Sequence, residues 1–322
     1  IAVTHFALVK GGTTSSARQR CRFLPCYRKI RFELGSNTVQ LAIRGGASET
    51  PINAKEQEEG EASRTMYNKQ ASRWVRTEPR CLSDFTGRPV VFSQLQPHVK
   101  GATVLDVGCG EGYCARKVVD MGAARVIGVD ISDEMISSAI NTSNGDERFK
   151  FFLAACSSLI GILERNRREL SIQGAKESMD VAIAVFLFNY LTTSEVLEAM
   201  KQVHEALKPG GIFVFSVPHP NMITCHDNSS IFHLKSEGKG YFSSRNQKIL
   251  GHICTIDGET LNIMSIHKTL NDYVEAIKAT GFEIIDIVEA GVTDEHMKMD
   301  PDFFNSVKDK PLHLIFKLRK QQ

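Results

Sequence analysis

The chain has 322 residues, 42 % of them hydrophobic, and a formal net charge of only +2. This length can hold one large or two small domains, and the apolar fraction is that of an ordinary globular protein. The charge is uneven, because residues 1–46 carry a net +7 and the remainder −5. A mildly acidic body gives no electrostatic reason to expect a nucleic acid as substrate.

The first two segments have compositions unlike the rest of the chain. Residues 1–46 are basic, contain Ser and Thr, and have a single acid, Glu33. This fits an organelle-targeting presequence, although a disordered extension fits equally well. Residues 47–62 are acidic and polar and indicate a linker. We therefore expect an N-terminal extension over 1–62 and a folded domain over 63–322, located in the cytoplasm, or in a plastid or mitochondrion if the presequence is real.

Neither the cysteines nor the hydropathy indicates a metal site or a membrane span. The eight cysteines are scattered, with no C-x-x-C and no zinc-like spacing to histidine. We interpret them as free thiols in a reducing compartment. The apolar piece at 1–9 is too short and interrupted to cross a membrane.

Residues 102–139 contain the pattern around which the rest of the chain is organised. A strand at 103–107 is followed by a turn through Gly108, Cys109 and Gly110, and then by a helix. A second strand, 125–129, ends on Asp130. In such a strand–helix–strand unit the glycines let a ligand approach bare backbone and the acid binds ribose hydroxyls. The pattern indicates a nucleoside-containing cofactor.

Two cofactor classes fit this unit. The dinucleotide fingerprint matches only when it is started from Gly110, which leaves Asp106 without a role. The pattern D-x-G-x-G-x-G, formed by Asp106, Gly108, Gly110 and Gly112, gives a role to the acid as well as to each glycine of the turn. An acid at the end of the first strand suits an ammonium group and repels a pyrophosphate. This segment resembles the first motif of class I S-adenosylmethionine (SAM)-dependent methyltransferases, and Ala206 to Gly211 (ALKPGG) is a second match.

The order of elements predicts an α/β fold. Further strands are expected at 149–154, 181–188, 212–217, 282–288 and 312–318, and helices at 63–78, 193–207 and 270–280, the second with Thr193 as its candidate N-cap. Apolar runs such as 181–188 are typical of central parallel strands. We predict a doubly wound, mostly parallel seven-stranded sheet, the Rossmann-like fold of class I methyltransferases. The resemblance further implies that the last strand runs antiparallel between its neighbours.

The resemblance also implies roles for individual residues. Asp106 would face the amino group of SAM, the backbone of Gly108, Cys109 and Gly110 its amino-acid and ribose part, and Asp130 the ribose hydroxyls. Ile131 and Met135 would enclose the adenine or simply pack, and Tyr67 in the leading helix would lie over the cofactor or only cover the sheet. The chain departs from relatives with G-D-A after strand three, because Ala154, Ala155 and Cys156 stand there. Adenine recognition would then involve the backbone at Cys156 or Ser157.

A segment of about 50 residues, 218–267, separates the fifth strand from the next helix. Connections of this kind are usually a few residues long, so we interpret it as a substrate lid, with a hairpin around Asp257-Gly258. Its phrases S-V-P-H-P and I-H-K-T-L resemble small-molecule methyltransferases of the broad "type 11" group. His219 and His267 are candidate bases, or merely hydrogen-bonded loop histidines, and Tyr241 is a candidate substrate contact. Asn189 and Tyr190, after the fourth strand, would contact the substrate or cap the next helix.

The function that these features favour is transfer of a methyl group from SAM to O, N or S of a small metabolite. Two other interpretations stay open, an NAD(P)-dependent oxidoreductase and a catalytically silent SAM-binding regulatory protein. An RNA or protein substrate is disfavoured by the acidic body and by the long insertion.

Overall fold

The computed structural model describes residues 29–34, 37–42, 54–225, 231–235 and 237–322. The chain divides into two units, 1–52 and 53–322. In the first unit, β1 (Lys29–Leu34) pairs antiparallel with β2 (Asn37–Ala42). Residues 1–28 of the predicted presequence and His226 of the predicted lid lie outside the described residues.

Ten strands of the second unit form two sheets. Their bounds are β3 (Thr103–Val107), β4 (Arg125–Asp130), β5 (Phe149–Leu153), β6 (Met179–Val185), β7 (Leu207–Pro218), β8 (Phe232–Leu234), β9 (Lys248–Cys254), β10 (Thr260–Ile266), β11 (Phe282–Ala290) and β12 (His313–Lys320). The larger sheet has the order β11-β12-β7-β6-β3-β4-β5. Its strands β3 to β7 run parallel, and β12 lies antiparallel to both β11 and β7. The predicted fold class is confirmed, including the antiparallel last strand.

Ten α-helices accompany these strands in the described part of the chain. They are α1 (Ala54–Trp74), α2 (Leu82–Thr86), α3 (Arg88–Val99), α4 (Tyr113–Asp120), α5 (Asp133–Thr142), α6 (Leu159–Arg165), α7 (Thr193–Ala206), α8 (Leu270–Thr280), α9 (Asp294–Met299) and α10 (Pro301–Phe304). Successive side chains of a strand point to opposite faces, and the two faces of β3 accordingly enter two buried clusters. Leu105 packs with residues of α7 and α8, and Val104 with residues of α3 and α4. Helices therefore cover both faces of the sheet.

Several element bounds differ from the prediction. The strand expected at 181–188 ends at Val185, because Phe186 has a φ of 58° and Phe188 begins a short 3-10 turn. Phe188 is nevertheless fully buried, which explains its apolar appearance in the sequence. Helix α1 begins at Ala54, so the domain boundary expected between 62 and 63 falls inside a helix.

The predicted bounds of the last long helix agree with α8, which ends at Thr280 and is capped by Gly281 with a φ of 78°. Helix α7 begins where expected, but its N-cap is Thr192 rather than Thr193. Thr192 Oγ1 accepts a hydrogen bond from the Glu195 backbone N–H, and the Glu195 carboxylate accepts one from the Thr192 N–H. This reciprocal pair is a capping box, which stabilises the first turn of the helix.

The segment between β7 and α8 contains a smaller sheet with the strand order β10-β9-β8, antiparallel throughout. The hairpin predicted around Asp257-Gly258 is confirmed, because β9 and β10 pair on either side of that turn. Over the residues that the structure describes, we find no helix with the length and apolar character needed to cross a bilayer.

Candidate active site

A cavity of about 240 Å³ lies where β3, β4, β6 and β7 end. One part of its wall consists of the glycine turn after β3, with Asp106 and Asp130. Another part is apolar and comes from the small sheet, with Phe232, Leu234, Ile253, Ile263 and Met264. Helix α1 and the residues that follow β6 complete the enclosure. A ligand-binding cleft at the carboxyl ends of parallel strands is the expected location in a doubly wound sheet.

The glycine turn exposes its backbone to this cavity. Gly108 and Gly110 have φ values of 73° and 55°, a region that favours glycine. A Cβ added to Gly110 would meet no atom within 4 Å, so open space lies beside its backbone. The backbone N–H groups of Gly108 and Cys109 both donate to the Val129 carbonyl, at 2.8 and 3.0 Å. The turn is thereby held against the end of β4.

The carboxylate of Asp130 is positioned by backbone donors on both sides. Its Oδ2 accepts a hydrogen bond from Gly110 N, and its Oδ1 accepts one from Ser132 N, each at 2.9 Å. Burial raises the pKa of this carboxyl, while the backbone donors act in the opposite direction. Each carboxylate oxygen has a second lone pair, so the group can still accept hydrogen bonds from two hydroxyls of a ligand.

Asp106 is a buried carboxyl group in the cavity wall. It is only 1 % exposed, and its Oδ2 has no hydrogen-bond partner within the described part of the chain. Burial, followed by the negative charge of Asp130, raises the pKa of Asp106 to about 7, against the effect of Arg88. A buried carboxylate without a partner is unfavourable by about 1–3 kcal/mol or more. A cationic group of a ligand would satisfy it.

A cluster of ion pairs that the sequence analysis did not predict borders the same cavity. Arg76 donates to both oxygens of Asp84 at 2.9 Å and to Glu111 Oε1 at 3.2 Å. Arg88 shares Asp84, through Oδ1 at 2.9 Å. Burial works to raise the pKa of Asp84, but Arg88 and Arg76 outweigh it and lower that pKa. Two guanidinium groups thus share the Asp84 carboxylate, and one of them, Arg76, also pairs with Glu111.

Helix α1 is attached to the cavity rim by polar contacts. The Tyr67 hydroxyl is hydrogen-bonded to the Tyr190 hydroxyl, and the two rings meet edge to face with centroids 5.3 Å apart. Asn68 donates to Asp133 Oδ1 at 2.8 Å and accepts from Ser132 Oγ at 2.6 Å, which joins α1 to the start of α5. The helix therefore lies over the turn that follows Asp130.

The structure brings most of the predicted site residues together. The cavity wall includes Tyr67, Asp106, Gly108, Cys109, Gly110, Asp130, Ile131, Met135, Asn189 and Tyr190. It does not include Cys156 or Ser157. Cys156 is half-buried and packs against the hydrophobic core, and Ser157 is exposed on the 3-10 turn after β5. Their predicted contact with adenine therefore has no support from their positions.

The two predicted catalytic histidines lie outside this wall. His219 Nε2 is 2.8 Å from Glu289 Oε1, and its Nδ1 accepts from Asn221 N at 3.1 Å. His267 Nε2 donates to the Tyr241 carbonyl at 2.8 Å, and burial lowers its pKa. Both border a separate cavity of only about 20 Å³. The role of base stays a prediction for them, and their contacts are those of hydrogen-bonded loop histidines.

Tyr241 is also absent from the wall of the large cavity, and its hydroxyl accepts a hydrogen bond from Leu270 N at 2.8 Å. That contact attaches the segment before β9 to the first residue of α8. It has the geometry of a structural contact, so the predicted substrate contact of Tyr241 has no support from its position.

Several wall residues were not predicted from the sequence, among them Phe186 and His313. The His313 and Phe186 rings meet edge to face with centroids 5.1 Å apart. His313 Nε2 lies 2.8 Å from the Thr86 hydroxyl, although 227 residues separate the two in the chain. No local sequence pattern predicts such a contact, because it depends on the position of β12 between β11 and β7 in the sheet.

The strand order, with the glycine turn and two carboxylates at the ends of adjacent strands, is that of the class I SAM-dependent methyltransferase fold. Comparison with known proteins agrees with this class. Residues 104–211 match the family described as "Methyltransferase domain". The protein is a SAM-dependent methyltransferase, and S-adenosyl-L-methionine is its cofactor.

Two relatives illustrate the similarity of sequence over most of the chain. An uncharacterized protein of Haemophilus influenzae is 26 % identical over 258 residues, which are 76 % of this chain and 91 % of that protein. The N-demethylindolmycin N-methyltransferase of Streptomyces griseus is 24 % identical over 219 residues, 67 % of this chain and 82 % of that protein.

Two solved structures illustrate the similarity of fold. A SAM-dependent methyltransferase of Mesorhizobium loti gives a TM-score of 0.52 at 23 % identity, covering 72 % of this chain and 96 % of that one. The Burkholderia thailandensis 1,6-didemethyltoxoflavin-N1-methyltransferase, solved with bound 1,6-didemethyltoxoflavin and S-adenosylhomocysteine, gives a TM-score of 0.51 at 17 % identity, covering 85 % of this chain and 94 % of that one.

Proposed function

We propose that this protein transfers the methyl group of SAM to an O, N or S atom of a small metabolite. The observation that carries this proposal is the form of the cavity. Its carboxylates and bare backbone lie on one side and the apolar side chains of the β8–β10 sheet on the other. Such a cavity suits a small, largely apolar acceptor beside a polar cofactor.

The cofactor side fits SAM on observations of this chain alone. The unpartnered Oδ2 of Asp106 is suited to the ammonium group, and the Asp130 carboxylate to the two ribose hydroxyls. The open space beside Gly110 allows close approach to the backbone. Ile131 and Met135 border the same side and would contact the adenine. When bound, SAM supplies an electrophilic methyl group on its sulfonium sulfur.

On the acceptor side, the chain contributes mainly positioning. Leu234, Ile253 and Met264 from the small sheet border the space in which the acceptor would lie. Excluding water and holding the acceptor atom in line supplies much of the rate of a displacement reaction. We propose that the β8–β10 sheet acts as the lid of this space. The names of the Streptomyces griseus and Burkholderia thailandensis proteins, both N-methyltransferases of small molecules, support an acceptor of this size.

The first test is calorimetric. We expect the full chain to bind SAM and to show no heat of binding with NADH at the same concentration. The second test incubates the protein with methyl-labelled SAM and a deproteinised metabolite extract. We expect label in small molecules, and much less label when D130A replaces the wild type at the same SAM concentration. SAM binding without transfer of label would favour the catalytically silent alternative, and binding of NADH alone would refute the proposal.

A further inference from the structure

His313 has a ring orientation and a tautomer determined by its neighbours. The Thr86 hydroxyl donates its single hydrogen to the Leu82 carbonyl at 2.8 Å. The same oxygen lies 2.8 Å from His313 Nε2, so it can only accept from that nitrogen. The proton of the neutral imidazole is therefore on Nε2. Nδ1 is left as a bare acceptor, and it has no hydrogen-bond partner among the described residues.

The opposite edge of the ring is packed closely. A Cβ placed on Gly87 would lie 2.8 Å from His313 Cδ2, so this edge contacts the backbone of residue 87. The Phe186 ring covers the imidazole from another side, with the edge-to-face geometry already described. The contacts with Gly87 and Thr86 together hold the ring in one of its two flipped orientations.

The position of His313 places it on the acceptor side of the cavity. His313 is the first residue of β12 and pairs with Pro218 at the end of β7. In the sheet, β7 and β6 lie on the side of β3 away from β4, whereas Asp130 ends β4. His313 and Pro218 both border the cavity. Three strands, β7, β6 and β3, thus separate the strand that carries His313 from β4, which ends on Asp130.

We propose that His313 determines acceptor specificity by accepting, at Nδ1, a hydrogen bond from an N–H or O–H of the molecule to be methylated. This inference rests on the proposed function and narrows its substrate class. An amine, amide or hydroxyl compound satisfies the nitrogen, whereas a thioether or a fully substituted amine leaves it unpaired. A site with a buried acceptor discriminates strongly against ligands that lack the donor.

The charge state of His313 agrees with this role. Burial, with the nearby charges of Arg88 and His219, lowers the pKa of His313 to about 3. The ring is therefore neutral over the physiological range and accepts a hydrogen bond without removing a proton. We assign it as a positioning residue and not as a general base.

The test uses the full chain saturated with S-adenosylhomocysteine and two matched pairs of probes, phenol with anisole and indole with 1-methylindole. Binding is measured by ligand-observed NMR. In the wild type we expect the N–H or O–H member of each pair to bind about three- to tenfold more tightly than its methylated partner. H313L should abolish this preference. H313N, whose amide oxygen can lie near the position of Nδ1, should retain part of it.

Thr86 supplies a control that leaves the imidazole in place. T86V removes the acceptor of Nε2–H, so the proton can move to Nδ1, and the preference should disappear. T86S keeps the hydroxyl and should keep the preference. Affinity for S-adenosylhomocysteine should stay within about twofold in all four variants, which separates this effect from misfolding. Equal binding within both pairs, a preference that H313L retains, or no binding of any probe would overturn the inference. Failure of the proposed function would appear separately, as absence of SAM binding or of label transfer.

Discussion

Asp130 Oδ2 accepts a hydrogen bond from Gly110 N at 2.9 Å, which joins the end of β4 to the glycine turn after β3. One carboxylate thus shapes the turn and, in our proposal, also binds the ribose. Removing it should affect both the fold and the affinity for SAM.

We expect D130A to weaken SAM binding by at least about 100-fold, because two charge-assisted hydrogen bonds are lost at about 1.5–3 kcal/mol each. It should also lower the free energy of unfolding by about 1–3 kcal/mol, since Gly110 N and Ser132 N lose their acceptor. D130N keeps one oxygen and should fall between D130A and the wild type. Calorimetry with SAM and denaturant unfolding give the two quantities. Unchanged affinity in D130A would exclude Asp130 from the ribose site.

Asp106 predicts a pH dependence of SAM binding. Its folded pKa of about 7 means that the carboxylate forms only as the pH rises through neutrality. SAM affinity should therefore increase about tenfold per pH unit below pH ~7, and fall again above pH ~8 as an α-ammonium group deprotonates. Calorimetry across this range measures both limbs. D106N should lose the rising limb and bind SAM weakly at every pH.

The raised pKa of Asp106 should make the stability of the SAM-free protein change with pH in the opposite direction to SAM affinity. A carboxyl whose folded pKa is raised stabilises the fold least when it is ionised. The stability of the SAM-free protein should therefore decline as the pH rises from the unfolded pKa, near 4, through about 7. At pH ~8, D106N should accordingly have a higher Tm than the wild type without SAM. A lower Tm for D106N at that pH would show that the ionised Asp106 carboxylate does not destabilise the SAM-free protein.

The Tyr67–Tyr190 hydroxyl pair should contribute to the attachment of α1. Burial raises the pKa of both phenols, so each is neutral at physiological pH and the bond is a neutral one. Y67F and Y190F should each reduce the free energy of unfolding by about 1 kcal/mol, because each removes this hydrogen bond. The double variant should lose less than the sum of the single effects. Additive losses in the thermodynamic cycle would mean that the two hydroxyls do not interact.

The positions of His219 and His267 lead to different expectations for their alanine variants. H267A should be destabilised by about 1–3 kcal/mol, because His267 is buried and donates to the Tyr241 carbonyl. H219A should lower stability less, by about 0.5–1 kcal/mol, because it removes only the partly exposed hydrogen bonds with Glu289 and Asn221 N. Label transfer per folded molecule should stay within about threefold of the wild type in both. A large loss of transfer in H219A, at unchanged SAM affinity and Tm, would instead support the base predicted from the sequence.

Local sequence patterns were sufficient to predict the large sheet and the part of the cavity wall formed by the glycine turn, Asp106 and Asp130. Apolar runs of strand length, glycines at positive φ and an acid at a strand end are all properties of short segments. Because carboxyl ends of parallel strands meet at one edge, the same patterns also placed Asp106 and Asp130 beside one cavity. The bounds that differed, at Val185 and at Thr192, are ends of elements, where hydrogen-bonding details outweigh apolar periodicity.

The sequence by itself determined the class of fold, the glycine turn with its two carboxylates and the presence of a hairpin in the long insertion, since each depends on residues close together in the chain. Only the tertiary structure decided which other side chains border the cavity. The contacts Arg76–Glu111 and Thr86–His313 join residues 35 and 227 positions apart. His219 and His267 were equally plausible in the sequence but were placed elsewhere by the packing of β7, β10 and α8. Such pairings arise from the insertion of β12 and the folding of the small sheet over the cleft, which no local periodicity encodes.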